Sequence, residues 1–126
     1  MSGRAVAVLG ASTDRAKYGN KAVRAHVRQG WDVYPVNPNA QKIEGLTCYS
    51  SLEAVPAAVD RVTLYLPPKL GIAALPAIAA AKPKEFFVNP GAESEELIEQ
   101  ARALGLDPIM ACSILDIGET PQEIGD

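Results

Sequence analysis

The stretch Gly10-Ala11-Ser12-Thr13 is the part of this sequence best suited to hold an anion. It follows five apolar residues, Ala5 to Leu9, and precedes a helix-forming segment over residues 20–29. A glycine at the end of a strand lets the chain turn sharply and lets backbone approach a ligand. Amides at the start of the next helix favour negative charge, and Ser12 and Thr13 add hydroxyl donors. Lys17, beside Tyr18, adds a positive charge. Phosphate suits such a loop, although an ordinary solvated strand-to-helix turn uses the same residue types.

The charge pattern bears on the same point. Formal net charge is −3, which argues against nucleic-acid binding. Yet residues 1–92 carry 11 Lys/Arg against 6 Asp/Glu, while residues 93–126 carry 1 against 9. Arg15, Lys17, Lys21, Arg24 and Arg28 crowd into residues 14–28 with Asp14 as the one acid. This is either a local anion site inside an acidic protein or a solvated basic helix face.

Groups for catalysis are scarce. His26 is the single histidine and falls mid-helix, so no Ser-His-Asp or Cys-His set can be assembled at the strand ends. No His, Cys or carboxylate spacing matches a metal site, and no catalytic residue is assigned. Glu93, Glu95, Glu96 and Glu99 read as helix-dipole partners and solvated surface. Cys112 follows the last strand and faces the expected cleft, as a buried inert thiol or a reactive one. Cys48 and Cys112 have no CxxC partner, and the N-terminus shows no cleavage signal. Reduced thiols in a cytoplasmic protein are expected. The longest apolar run, Gly71 to Ala81, is broken by Pro76 and is too short for the ~20 residues of a membrane span.

These candidates are positioned by alternating strand and helix signals. Ala5–Leu9, 31–36, 61–66, 85–88 and 108–111 read as strands, most of them closed by Gly, Pro or Asn. Pro76 fits the first position of a short Ala-rich helix closed by Lys82-Pro83. Ser94 reads as the N-cap of a helix whose Leu97, Ile98, Ala101 and Leu104 line one face, with Gly105 as the stop. Gly45 falls in a loop, followed by a short turn to Val55. The 126 residues are one domain, with an acidic tail over 116–126. The alternation implies an α/β fold: a single doubly wound, mostly parallel, five-stranded Rossmann-like sheet with helices on both faces.

Ligands in such sheets bind outside the carboxyl ends of the strands. A nicotinamide dinucleotide is one alternative, in an NAD(P)-binding or redox-sensing protein. Against it, the G-x-G-x-x-G fingerprint is absent, and the second strand ends in Asn37-Pro38 where an acid would hold the ribose. Asp32 has about the right spacing but lies at the start of that strand.

Taken together, several segments resemble the stand-alone CoA-binding domain family. They are Gly10-Ala11-Ser12, Tyr18-Gly19, Val36-Asn37-Pro38, Ile43-x-Gly45-Leu46, Tyr49-x-Ser51-Leu52, Val59-Asp60, Pro67-Pro68, Pro90-Gly91 and Cys112. The likeness spans about residues 4–115 and extends to the CoA-binding domain of succinyl-CoA synthetase α subunits. It implies that coenzyme A or an acyl-CoA lies across the strand ends. Gly10, Ala11, Ser12 and Thr13 would then meet the phosphates, with Lys17 and Tyr18 close by. Asn37 and Pro38 would border the adenosine, Pro67, Pro68 and Lys69 would form the opposite wall, and Pro90, Gly91 and Cys112 would lie toward the pantetheine. The resemblance implies a binding module without catalysis of its own, since the second domain and phosphorylated histidine of the synthetases are not in this chain. A second copy or an acyl-CoA-handling enzyme is the expected protein partner.

Overall fold

The computed structural model describes residues 3–126. In chain order it contains β1 (Ala5–Leu9), α1 (Tyr18–Arg28), β2 (Asp32–Val36), β3 (Lys42–Ile43), β4 (Leu46–Thr47), a 3-10 turn (Leu52–Ala54), β5 (Arg61–Leu64), α2 (Pro68–Ala81), β6 (Glu85–Val88), α3 (Glu95–Ala103), β7 (Pro108–Met110), α4 (Ser113–Asp116) and α5 (Pro121–Ile124). Five strands form one parallel sheet in the order β2-β1-β5-β6-β7. The chain first steps to one side of β1 and then to the other. The switch point therefore lies between β1 and β5, where a doubly wound sheet opens a crevice.

Burial explains why β1 is apolar throughout. Ala5, Ala7 and Leu9 pack in one cluster with Leu75, Ile78, Leu97 and Ala101 of α2 and α3. Val6 and Val8 point the other way, onto Ala22, Val23, Ala25 and Ile114. A strand covered on both faces has no side for a polar residue. β2 is an outer strand, and Tyr49 bridges to it at Val36. There Tyr49 N donates to the Pro35 carbonyl at 2.9 Å and Asn37 N to the Tyr49 carbonyl at 2.9 Å. Pro35 offers no amide on that flank, as suits an edge.

The structure differs from the sequence reading at several points, one being that the strand read over 61–66 ends at Leu64. Pro76 lies inside α2 rather than opening it; Pro68 takes the opening turn. Pro76 is exposed, and its missing amide leaves the carbonyl one turn earlier without its helical partner. Helix α1 begins at Tyr18, two residues earlier than expected. The loop around Gly45 contains a hairpin, β3 against β4, turned by Glu44 and Gly45, both at positive φ. Leu104 is 47% exposed instead of lying on the buried stripe of α3. Residues 116–126 are not a loose acidic tail. Part of α4 and all of α5 lie there, and both pack on α1.

At the opposite end of the sheet from the strand carboxyl ends, Arg61 is 1% exposed. Its guanidinium donates to Glu85 at 3.1 Å and to Asp116 at 2.6 Å, and stacks on Phe87 at 4.2 Å. His26 is fully buried beside Trp31, ring centroids 5.1 Å apart, and its Nδ1 bonds the Ala22 carbonyl at 2.8 Å. Burial holds its pKa down at about 4, so the neutral ring is a core element. Among the described residues no helix is long and apolar enough to cross a membrane.

Candidate functional site

Two glycines draw the first loop and α1 onto the strand ends. Gly10 has φ +88°, and a Cβ there would lie 2.8 Å from the Tyr65 carbonyl carbon and 3.1 Å from Leu66 N, both backbone of the neighbouring strand's continuation. Only a residue without a side chain lets the chain leave β1 so close to β5. Gly19 is buried, and a Cβ on it would lie 3.1 Å from the Gly10 carbonyl carbon and 3.3 Å from Ala11 Cα. The first turn of α1 thus sits directly on the Gly10 peptide. No side chain caps this helix start, where Lys17 is the N-cap residue. Its leading amides are therefore not spent on a side-chain cap, at the positive end of the helix dipole.

Two clefts meet at Gly10 and Leu66. The first, about 290 Å³, has Gly10, Lys17, Tyr18 and Gly19 on one side and Tyr65 to Pro67 with Pro90 to Ala92 on the other. The second, about 170 Å³, is a mainly apolar slot between Val36-x-Pro38, Ser50 to Glu53, and Ala74 and Ala77 of α2. Sharing Gly10 and Leu66, they make an elongated trough whose first part carries the cationic side chain and the start of α1.

The turn behind the first cleft is held by a buried polar network. Asn89 is 1% exposed. Its Nδ2 donates to Thr63 Oγ1 at 2.6 Å and to the Leu64 carbonyl at 2.9 Å, and its Oδ1 accepts from Ser113 N at 2.9 Å. Ser113 Oγ pairs with Thr63 Oγ1 at 2.8 Å and with the Tyr65 hydroxyl at 3.1 Å. Burial pushes the Tyr65 phenol well above its ordinary range, so it stays protonated. This network fixes Tyr65 and the Pro90-Gly91 turn at the ends of the neighbouring strands β5 and β6.

Of the residues singled out from sequence, Gly10, Lys17, Tyr18, Pro67, Pro90 and Gly91 line the first cleft, and Pro38 lines the second. Pro68 and Lys69 line a separate hollow with Ile72, Ser94 and Glu96. Ala11 is a core residue, 1% exposed. Ser12, Thr13, Asn37 and Cys112 line none of these. Ser12 Oγ accepts from Asp14 N at 3.0 Å, an internal turn contact. Asn37 Nδ2 donates to the Ala11 carbonyl at 2.8 Å, so it positions the loop from behind. Cys112 is half-buried at the start of α4, against the α1-side core. Sequence reasoning missed Tyr65, Leu66, Ala92 and Ser50 to Glu53 as lining residues. Their signal was only that they flank the strand-ending prolines and the Tyr-x-Ser-Leu stretch. Among the described residues no cluster of three or more His, Cys, Asp or Glu is placed to hold a metal ion.

A parallel five-stranded sheet with an open trough at its switch point is the doubly wound class of α/β domain, in which ligands bind at that crevice. The chain matches the CoA binding domain over residues 4–118 and belongs to that family. A conserved hypothetical protein from Pyrococcus furiosus has the same fold with a TM-score of 0.82 and 36% identity, over 90% of this chain and 98% of that one. An acetyl-coenzyme A synthetase 1 from Ca. Korarchaeum cryptofilum, solved with phosphate and ADP, aligns with a TM-score of 0.74 and 31% identity over 85% of this chain and 25% of its own. Among curated relatives, subunit alpha of the ADP-forming acetate–CoA ligase II of Pyrococcus furiosus is 36% identical over 67 residues, 52% of this chain and 15% of the relative. The ADP-forming acetate–CoA ligase II of Archaeoglobus fulgidus is 41% identical over 69 residues, 53% of this chain and 10% of the relative. The aligned segment is thus a small part of those synthetases.

Proposed function

We propose that this domain binds coenzyme A or an acyl-CoA along the trough and has no catalytic groups of its own. The observation that carries this reading is the meeting of the two clefts at Gly10. An elongated ligand crossing there would set its pyrophosphate against the Gly10 peptide, the leading amides of α1 and Lys17. Its adenosine would enter the apolar slot beside Pro38 and Leu52, with Asn37 holding the loop behind. Its pantetheine arm would run between Tyr18 and Pro67 toward Pro90 and Gly91. Pro68 and Lys69, in the neighbouring hollow, would meet only groups that leave the trough. The larger synthetases that share this fold favour an acyl-CoA-handling enzyme as protein partner.

Calorimetric titration with CoA, and its effect on melting temperature, test the reading. Lys17 is exposed and free to be changed without disturbing the core. Lys17→Glu reverses the charge at the trough and is expected to weaken CoA binding about 10- to 100-fold, the worth of a hydrogen bond to a charged group. A wild-type protein that takes up no CoA, or a Lys17→Glu protein that binds it unchanged, overturns the proposal. One observation favours a dinucleotide instead: Glu53 sits on the slot wall, where a carboxylate can hold ribose hydroxyls. Asp32 cannot do so, since it pairs with Ala5 at the far end of the strands. Tighter binding of NADH than of CoA, lost in Glu53→Gln, would install that second reading.

A further inference from the structure

The loop 12–16 has turn contacts of its own, and further contacts fasten it to the helix that follows. It is clamped to α1 by two residues one helical turn apart, Asn20 and Arg24. Asn20 is fully buried. Its Nδ2 donates to the Ser12 carbonyl at 2.9 Å and to Glu44 Oε2 at 3.0 Å, at the tip of the β3–β4 hairpin. Its Oδ1 accepts from Arg24 Nε at 2.6 Å. Arg24 then spreads its fork over three backbone carbonyls. Nη2 donates to Arg15 at 2.9 Å and to Gly125 at 2.7 Å, and Nη1 donates to Ile124 at 3.1 Å. Glu44 also pairs with Arg15, and the Asn20 hydrogen bond is the largest cause holding its carboxyl below the ordinary range.

One guanidinium therefore joins the first loop, the helix that carries it, and the segment 120–126. That segment is held on α1 by further pairs: Lys21 with Asp126 at 3.3 Å, and Arg28 with Glu119 at 3.5 Å just before it. Lysine could not replace this group, since a point charge cannot reach three carbonyls and a side-chain amide in one plane.

We propose that Arg24 is a positioning residue for the loop that joins Gly10 to Lys17, and that it links the loop to docking of the segment 120–126. This rests on the trough being the CoA site, but concerns residues outside the trough. Order in the loop and order in the C-terminal segment then stabilise each other, and by linkage CoA must tighten the segment as much as the segment tightens CoA.

Residue-resolved amide exchange by NMR tests this on the full chain. The amides to follow are those of Asp14, Ala16 and Lys17, each of which donates to a partner within the loop, and those of Ile124 and Gly125, which close the last helix. In Arg24→Gln both sets are expected to exchange about tenfold faster or more while β1 and β5 keep their protection, and CoA affinity is expected to fall about tenfold as the loop loses its preorganisation. Arg24→Lys is expected to behave as Arg24→Gln. Thr120→Ala removes the cap that accepts from Glu123 N at 3.1 Å and leaves α1 intact. It should move the loop amides in the same direction by a smaller factor. A folded Arg24→Gln protein with wild-type loop exchange overturns the proposal. Should Arg24→Gln fail to fold, unchanged loop exchange in Thr120→Ala overturns it. Wild-type protein that does not bind CoA would sink the functional reading alone, because the exchange data still decide whether Arg24 holds the loop.

Discussion

Replacing Gly10 by alanine separates the two demands that the structure makes there. The first is conformational: φ is +88°, a region in which an L-residue costs roughly 1–2 kcal/mol. The second is spatial: the new Cβ would lie 2.8 Å from the Tyr65 carbonyl carbon, 3.0 Å from its oxygen and 3.1 Å from Leu66 N. All three are backbone of the chain leaving β5, which cannot rotate away as a side chain does. Overpacking of that kind costs about 1–3 kcal/mol. Gly105 supplies the reference, since it has φ +84° and nothing within 4 Å of a Cβ. Gly105→Ala should therefore cost roughly 1–2 kcal/mol from strain alone, and Gly10→Ala roughly 2–5 kcal/mol from strain and contact together. Urea unfolding at constant m-value measures both. Because the contact is relieved only by parting β1's loop from β5, the two clefts should also part at their junction, and Gly10→Ala should lose CoA binding while Gly105→Ala keeps it. Equal destabilisation by the two substitutions, or a Gly10→Ala protein with full CoA affinity, would refute the argument that this close approach builds the trough.

Other outcomes follow from the far end of the sheet. The folded pKa of His26 lies at about 4 against an unfolded value near 6.5, so the unfolded chain binds the extra proton. Its contribution is present above the unfolded value and is lost as pH falls from about 6.5 toward 4. His26→Asn, which keeps a donor for the Ala22 carbonyl, should flatten the stability–pH curve in that window; parallel curves for the two proteins would contradict this. Arg61→Ala removes the buried packing on Phe87 and one partner each of Glu85, which keeps Arg4, and of the part-exposed Asp116; it should cost about 0.5–3 kcal/mol in denaturant unfolding. Arg61→Met should cost less, and neither should change CoA affinity if the variant is still folded.

What could be read from sequence was whatever depends on neighbours in the chain. The run Ala5–Leu9 is apolar because both faces are covered, and Gly10 marks where it stops; the strand read over 61–66 is present but ends at Leu64, short of Pro67. Ser94 caps α3 as read, accepting from Leu97 N at 3.1 Å. Pro76 misled because a proline at a helix start and one on an exposed helical face look alike in one dimension, and only the packing of Leu75 and Ile78 tells them apart. Strands of two residues leave no periodicity, so the hairpin at Glu44-Gly45 read as loop. The polar residues that hold the site, Asn20, Asn89 and Ser113, owe their roles to partners 8 to 50 positions away, which no local pattern reveals. The acidic composition of 116–126 read as a tail because its basic partners lie far earlier in the chain, Lys21 for Asp126 and Arg28 for Glu119.

The prolines of the outer strands bear on how the molecule behaves in a crowded solution. Pro35 withholds a donor where the Tyr49 segment already covers one border of the sheet, and Pro108 opens the opposite border, a strand of only three residues. A neighbouring copy seeking to continue the ladder finds few amides in register at either side. Edges that are short or carry proline are poor templates for further strands.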